Sequence, residues 1–273
     1  MKERFDNPPL LEIIAELRWD IPSNSSHLGM PMPVLPAQSQ VLEAEIEGFS
    51  KHIADLGFRN AERLVPPGFP WMMGEPAFRY KCSEADDTTA ERLKKSTIFQ
   101  VGAGVFTANA VPPYTSWDDF EPLVRSGVEG LFNMHFASGK PSSFRPTLRY
   151  VDVFKEEFTH GLPLQEFLRD IMGISLSLPD ALSSRSEDKA TQVPMLHVVV
   201  PLPFGRMTLE FFDGFVNGDK AYVMDMAVHF EGLAFNNIED LMNAFSQARN
   251  VIHETFVNLT KPIHSLMKQR SET

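Results

Sequence analysis

Leu11-Glu12-Ile13-Ile14-Ala15-Glu16-Leu17-Arg18-Trp19-Asp20 decides the fold class. Leu11, Ile13, Ala15, Leu17 and Trp19 alternate with Glu12, Ile14, Glu16, Arg18 and Asp20. A repeat of two with one wet face marks a half-buried strand of an antiparallel sheet. Asn7-Pro8-Pro9 fixes its start, because proline cannot donate to a ladder. Downstream, Pro22 to Pro36 reads as a loop rich in Pro and Ser. Ala37 to Leu56 follows as a helix, with Val41, Ile46, Phe49 and Ile53 on its apolar stripe and Gly57 past its end.

Prolines and glycines from Pro66 to Pro76 mark a long irregular loop. It carries Phe69, Trp71, Met72 and Met73, which serve either as a lid on the core or as an interaction patch. Phe78 to Ser83 and Thr97 to Asn109 read as two strands, with a charged turn region between them. Gly102 and Gly104 suggest a bulge or a close backbone approach in the second. Ser116-Trp117-Asp118-Asp119 opens a helix with a capping box. Its stripe runs through Trp117, Phe120, Leu123, Val124, Val128, Leu131 and Phe132.

After Gly139-Lys140-Pro141 a second series begins. Thr147 to Phe154 is a strand and Leu164 to Met172 a short helix. Ser183 to Gln192 is polar and read as mobile. Met195 to Leu202, Arg206 to Phe212 and Tyr222 to Phe230 are strands, with turns at Pro203-Phe204-Gly205 and from Asp213-Gly214 to Asn217-Gly218. A long helix capped by Asn237 closes the chain, and Pro262 breaks or restarts it.

The expected fold is therefore α+β. It has an antiparallel sheet, long helices packed on one face, and two similar β-α-β(n)-α halves, 1–140 and 141–273. Ser116-Trp117-Asp118-Asp119-Phe120 and Asn237-Ile238-Glu239-Asp240-Leu241 open the two closing helices alike. Duplication and a shared capping style both account for that parallel.

Composition bounds the function. The chain has 273 residues, 43% of them hydrophobic and 22% charged, which is globular usage. Thirty-six acidic residues against 25 basic ones give a net charge of −11. An acidic protein is poorly suited to nucleic acid, and suits solubility or a basic protein partner. One cysteine, Cys82, excludes an intrachain disulfide and a cysteine zinc site. There is no apolar leader and no run of about 20 apolar residues. The expected location is the cytoplasm, with no membrane partner.

No linear catalytic motif is present. The eight histidines form neither H-E-x-x-H nor H-x-H. His253-Glu254 is a secondary candidate, but adjacent helical residues point about 100° apart. Neither G-x-S-x-G, a P-loop nor a complete dinucleotide fingerprint occurs. Glu210, Asp213, Asp219, Asp225 and Glu231 match no metal loop, and their turns explain them. No catalytic residue, metal or cofactor is assigned. The main ligand or partner candidates are Glu12, Glu16 and Arg18 on the first strand, with Arg149, Tyr150 and Asp152 on the strand opening the second half. Were those strands neighbours, the residues would form a charged stripe, which equally suits cross-strand ion pairing. Trp71 is a further candidate.

Asn7-Pro8-Pro9-Leu10-Leu11-Glu12, Gln100 through Asn109, Tyr114-x-x-Trp117-x-x-Phe120, Leu148-Arg149-Tyr150-Val151-Asp152 and His253-Glu254-x-Phe256 together carry a resemblance. The chain resembles a sporadically distributed bacterial and archaeal family of about this length and of unknown function. It departs from the family pattern at Asp152, where Asn is usual, and at Thr147, where Gly is usual. Sporadic distribution implies a mobile gene, such as an accessory component of bacterial conflict or phage defence. The leading expectation is a non-enzymatic binding or regulatory protein with a protein partner. An enzyme whose site assembles only in three dimensions is the alternative, and a self-associating structural subunit is the third.

Overall fold

The computed structural model describes residues 3–21, 33–82, 89–112, 116–137, 139–177, 179–183 and 195–269. Most of the Pro22 to Pro36 loop, Asp86, Asp87, Tyr114 and nearly all of the polar stretch 183–192 lie outside them. Among the described residues there are nine strands: β1 (Leu10–Arg18), β2 (Asn60–Arg63), β3 (Pro76–Lys81), β4 (Thr97–Gly102), β5 (Val105–Ala110), β6 (Arg145–Phe154), β7 (Leu196–Leu202), β8 (Gly205–Val216) and β9 (Asp219–Phe230). Their hydrogen-bonded order is β2-β3-β4-β5-β1-β6-β9-β8-β7. The helices are α1 (Pro36–Asp55), α2 (Thr89–Lys95), α3 (Trp117–Phe132), α4 (Glu156–Thr159), α5 (Leu164–Asp170), α6 (Asp180–Ser183) and α7 (Ile238–Thr260). The fold is α+β with an antiparallel sheet.

The chain divides into two compact units. The larger comprises Glu12–Arg149 and His229–Arg249, and the smaller Met1–Leu11, Tyr150–Val228 and Asn250–Thr273. Each unit draws on both sides of residue 140.

In the larger unit, β1 pairs antiparallel with β5, Ile13 opposite Ala110 and Leu17 opposite Phe106. The alternation read from the sequence holds from Ile13 onward, where Ile13, Ala15 and Leu17 are fully buried, while Leu11, read on the same face, is 38% exposed. Thr97 to Asn109 is two strands rather than one. Ala103-Gly104 turns the chain back, and Gly104 adopts a φ of +75° that disfavours a side chain. The close approach expected at these glycines occurs at Gly102, where a Cβ would stand 2.1 Å from the Glu75 carbonyl oxygen. The bulge lies opposite, where the β3 register shifts between Pro76 and Phe78.

Rings fill this core. Phe49 of α1 meets Tyr80 and Phe106 edge-on, with centroids 5.5 and 5.8 Å apart. Phe58 meets Phe99 at 4.7 Å. Each fully buried ring contributes about 1.5–3 kcal/mol by leaving water. The α1 stripe differs from expectation by one position. Leu42 is buried with Ile46, Phe49 and Ile53, whereas Val41 is 44% exposed. Ser116 caps α3 as expected, its Oγ accepting the Asp119 N–H at 3.2 Å. Trp71 is a lid residue. It is 1% exposed, packs on Phe78 at 5.8 Å, and its carbonyl accepts the Val34 N–H at 2.7 Å. Phe69 of the same loop stays 64% exposed. Asn237 caps α7, accepting the Asp240 N–H at 2.9 Å.

In the smaller unit the β8–β9 turn is Asn217-Gly218, with φ of 55° and 89°. Positive φ at both positions is the twist-matched hairpin turn. Asp213-Gly214, read as part of the turn, lies inside β8 instead. Phe167 of α5 packs between Phe154 and Tyr222, with centroids 5.4 and 5.6 Å away. The Tyr222 hydroxyl donates to the Leu162 carbonyl at 2.6 Å. α7 ends at Thr260, and a 3-10 turn over Lys261–Ile263 takes up Pro262, so the proline breaks the helix. Phe5 seals this end against Phe256 and His264.

Candidate functional site

The first predicted residues lie on the polar face of the larger unit. Glu12, Glu16 and Arg18 share a parity on β1, so they project from one side of the sheet. The same parity on β5 carries Thr107, opposite Glu16, and Asn109, opposite Ile14. Asn109 Nδ2 donates to Glu12 Oε1 at 2.7 Å, and Thr107 Oγ1 donates to Asn109 Oδ1 at 2.7 Å. Gln100 Oε1 of β4 stands 3.2 Å from the same hydroxyl. Thr107 and Asn109 are nearly buried, so these bonds offset the cost of desolvating them. Glu16 makes a two-point pair with Arg18 at 2.7 and 3.0 Å, and Glu16 raises the Arg18 pKa. Further out, Arg79 reaches Glu62 at 3.2 Å. The face is a hydrogen-bonded row ending in carboxylates. Neither Thr107, Asn109 nor Gln100 was singled out in the sequence. In β5 the signal was present, since Thr107 and Asn109 alternate with the buried Phe106, Ala108 and Ala110.

β6 lies beside β1 in the sheet order, the juxtaposition the sequence reading required. Arg145, at the start of β6, holds Asp20 through two bonds of 2.9 Å and keeps its pKa low. Arg149 of this unit is exposed, and Tyr150, in the smaller unit, is half-buried.

Asp152 differs from the wet position expected of a charged stripe. It is 2% exposed, and its Oδ2 is buried with no hydrogen-bond partner. It shares the parity of Leu148 and Phe154, both fully buried, while Arg149 takes the opposite parity. Burial pushes its carboxyl up to about 8, and the negative charge of Asp225 adds to the rise. Asp152 is a neutral acid in the interior at moderate pH.

The secondary pair does not converge. His253 is half-buried, its Nε2 3.8 Å from Glu3 Oε2, while Glu254 is exposed. Among the described residues no group of three or more His, Cys, Asp or Glu is placed to hold a metal ion. No helix of the described residues is long and apolar enough to cross a membrane.

The smaller unit presents a different feature at β7. This strand ends the sheet order and pairs along one side with β8, from Leu196 opposite Phe211 to Leu202 opposite Gly205. Val199 is 49% and Val200 44% exposed. Successive residues point to opposite sides, so each face of this edge exposes a valine, while the Val199 face also carries His197 and Pro201, the latter without an N–H to donate. Met195, just before it, is 77% exposed. His197 is held by Glu210 at 2.8 Å. Sequence gives the strand but not its place at the edge, which depends on the order of all nine strands.

No family model and no curated protein matches the chain. Among solved structures, an S. pombe RNA triphosphatase in complex with the Spt5 CTD aligns over 97% of this chain and 89% of that one, at 10% identity and a TM-score of 0.13. A likeness at that level carries no argument about fold or function.

Proposed function

We propose that this is a non-enzymatic binding protein that engages a protein partner by strand addition at β7. The supporting observation is the apolar edge strand itself. An edge offers a row of backbone donors and acceptors, and proteins ordinarily blunt such edges with charge. Here the central residues are Val198-Val199-Val200, and two of the three valines are more than two-fifths exposed. Strand addition satisfies the backbone and covers the valines in one step. In this reading the long helices cover one sheet face in two similar halves, and the row from Glu12 to Gln100 is a rigid polar support. The single cysteine suits a reducing compartment such as the cytoplasm, and the resemblance to a sporadically distributed family suits an accessory component of a conflict or defence system.

Val199→Lys places a charge at the centre of the edge without touching the core. The wild-type chain is expected to assemble, with itself or with a captured host protein, in light scattering at micromolar concentration. The variant is expected to stay at monomer mass with an unchanged melting temperature. Self-assembly would favour the structural-subunit form of the reading. Equal assembly by wild type and variant, or none by either chain with or without host extract, counts against it.

A further inference from the structure

The larger unit holds a cleft of about 440 Å³ that is separate from β7. Its floor is one stripe of α1, made of Gln38, Val41, Leu42 and Glu45, at the spacing that puts residues on one helix face. Its walls are Trp19 and Phe136, whose rings meet edge-to-face with centroids 6.2 Å apart, and the segment Gly139 to Ser142.

Glu45 is the unusual member. It sits among the buried residues Leu42, Ile46 and Phe49 and is itself only 8% exposed. One oxygen, Oε1, accepts the Ala137 N–H at 2.6 Å. Burial raises its pKa, and only that hydrogen bond and the charge of His135 oppose the rise. Burying a carboxylate is costly unless it is both hydrogen-bonded and paired with a cation, and the Ala137 N–H supplies the hydrogen bond.

The other charges of the cleft already have partners. Asp20 is held through both oxygens by Arg145, and Lys140 Nζ stands 4.0 Å over the Phe132 ring. Glu45 is the remaining carboxylate of the lining, held by the Ala137 N–H and influenced by His135 from outside the cleft lining. Aromatic walls beside a buried carboxylate are the chemistry that recognises an organic cation, through an ion pair at one end and ring faces around its body. The larger cleft of the smaller unit, about 790 Å³, lacks this contrast, being lined by Lys155, Lys220, Glu156, Glu157 and Asp219 together.

We infer that the Trp19–Glu45–Phe136 cleft is a binding site for a small organic ammonium with an apolar body. The ammonium donates to Glu45, and the apolar part lies against Trp19, Leu42 and Phe136. This site is independent of the β7 reading.

The test is titration of the full chain by calorimetry with three probes of one shape: phenethylammonium, 2-phenylethanol and 3-phenylpropionate. Phenethylammonium is expected to bind saturably, about tenfold or more tighter than the other two, since a charge-assisted bond in a desolvated site is worth at least that factor. Glu45→Gln keeps an acceptor for the Ala137 N–H and removes the charge. It is expected to lose that tenfold preference while melting at the wild-type temperature. A purely structural role for Glu45 predicts no preference among the probes in either protein. Equal binding of all three, binding of none, or an unchanged preference in Glu45→Gln overturns the proposal. If the variant melts lower, Trp19→Phe, which keeps one aromatic ring but leaves a smaller side chain at this nearly buried position, is expected to retain the cation preference with weaker binding. Loss of binding selectivity there as well overturns it.

Discussion

Asp152→Asn stabilises the protein at neutral pH and flattens its stability profile. Asp152 has a folded pKa of about 8, raised by burial first and by Asp225 second. An unfolded aspartate titrates near 4. Below about pH 4 the group is protonated in both states and contributes nothing to the pH dependence. Between about 4 and 8 the unfolded chain releases the proton and the folded chain keeps it. Stability therefore falls with rising pH, by about 1.4 kcal/mol per unit from this one group. Above about 8 the loss is complete.

Asparagine has nearly the same shape and no titration. Urea midpoints of the two proteins should be close at pH 4 and diverge steadily toward pH 8, the variant being the more stable. Parallel profiles would show that Asp152 is ionised in the fold. Asp225→Asn removes the second cause, so it should lower the Asp152 pKa and close the window at a lower pH.

Gly102→Ala should cost about 3 kcal/mol or more, the second large effect. A Cβ there would lie 2.1 Å from the Glu75 oxygen, 2.8 Å from the Ala77 nitrogen and 2.8 Å from Pro76 Cα. All three are backbone atoms at the β3 bulge, so no side chain can swing aside, and the two strands must separate. Gly139→Ala is the control. Among the described residues nothing stands within 4 Å of its Cβ, and its φ of +85° penalises a side chain, which costs about 1 kcal/mol. A drop in urea midpoint no larger for Gly102→Ala than for Gly139→Ala would remove the close approach from the account.

These two positions also show how far the sequence could be read. Gly102 stood out in a strand pattern, and the bulge it permits was expected. That Gly104 turns the chain was not legible, because Thr97 to Asn109 keeps an apolar character through the turn. β2 was missed for the opposite reason. Asn60-Ala61-Glu62-Arg63 has no apolar alternation, and its strand exists only because β3 offers it a ladder. Inside β8, Asp213-Gly214 has turn chemistry, but the positive φ values sit at Asn217-Gly218, where the hairpin closes.

The candidate site divides in the same way. Parity on β1 grouped Glu12, Glu16 and Arg18 correctly. Parity on β6 would also have sorted Asp152 with Leu148 and Phe154, and so into the interior. Glu45 carried the same signal in Leu42-x-x-Glu45-Ile46-x-x-Phe49, a carboxylate on an apolar stripe. The β7 edge had no such signal, since exposure of Val199 follows from strand order and not from its neighbours in the chain.

Backbone hydrogen exchange at β7 tests the binding account most directly. The amides of Leu196 to Leu202 would be followed in wild-type protein, dilute and then under conditions where light scattering shows assembly. Strand addition predicts that amides around Val199 gain protection on assembly, and that Val199→Lys shows no such gain at the same concentration. Assembly that leaves β7 amides exchanging as in the dilute protein, while protecting another surface, would contradict it.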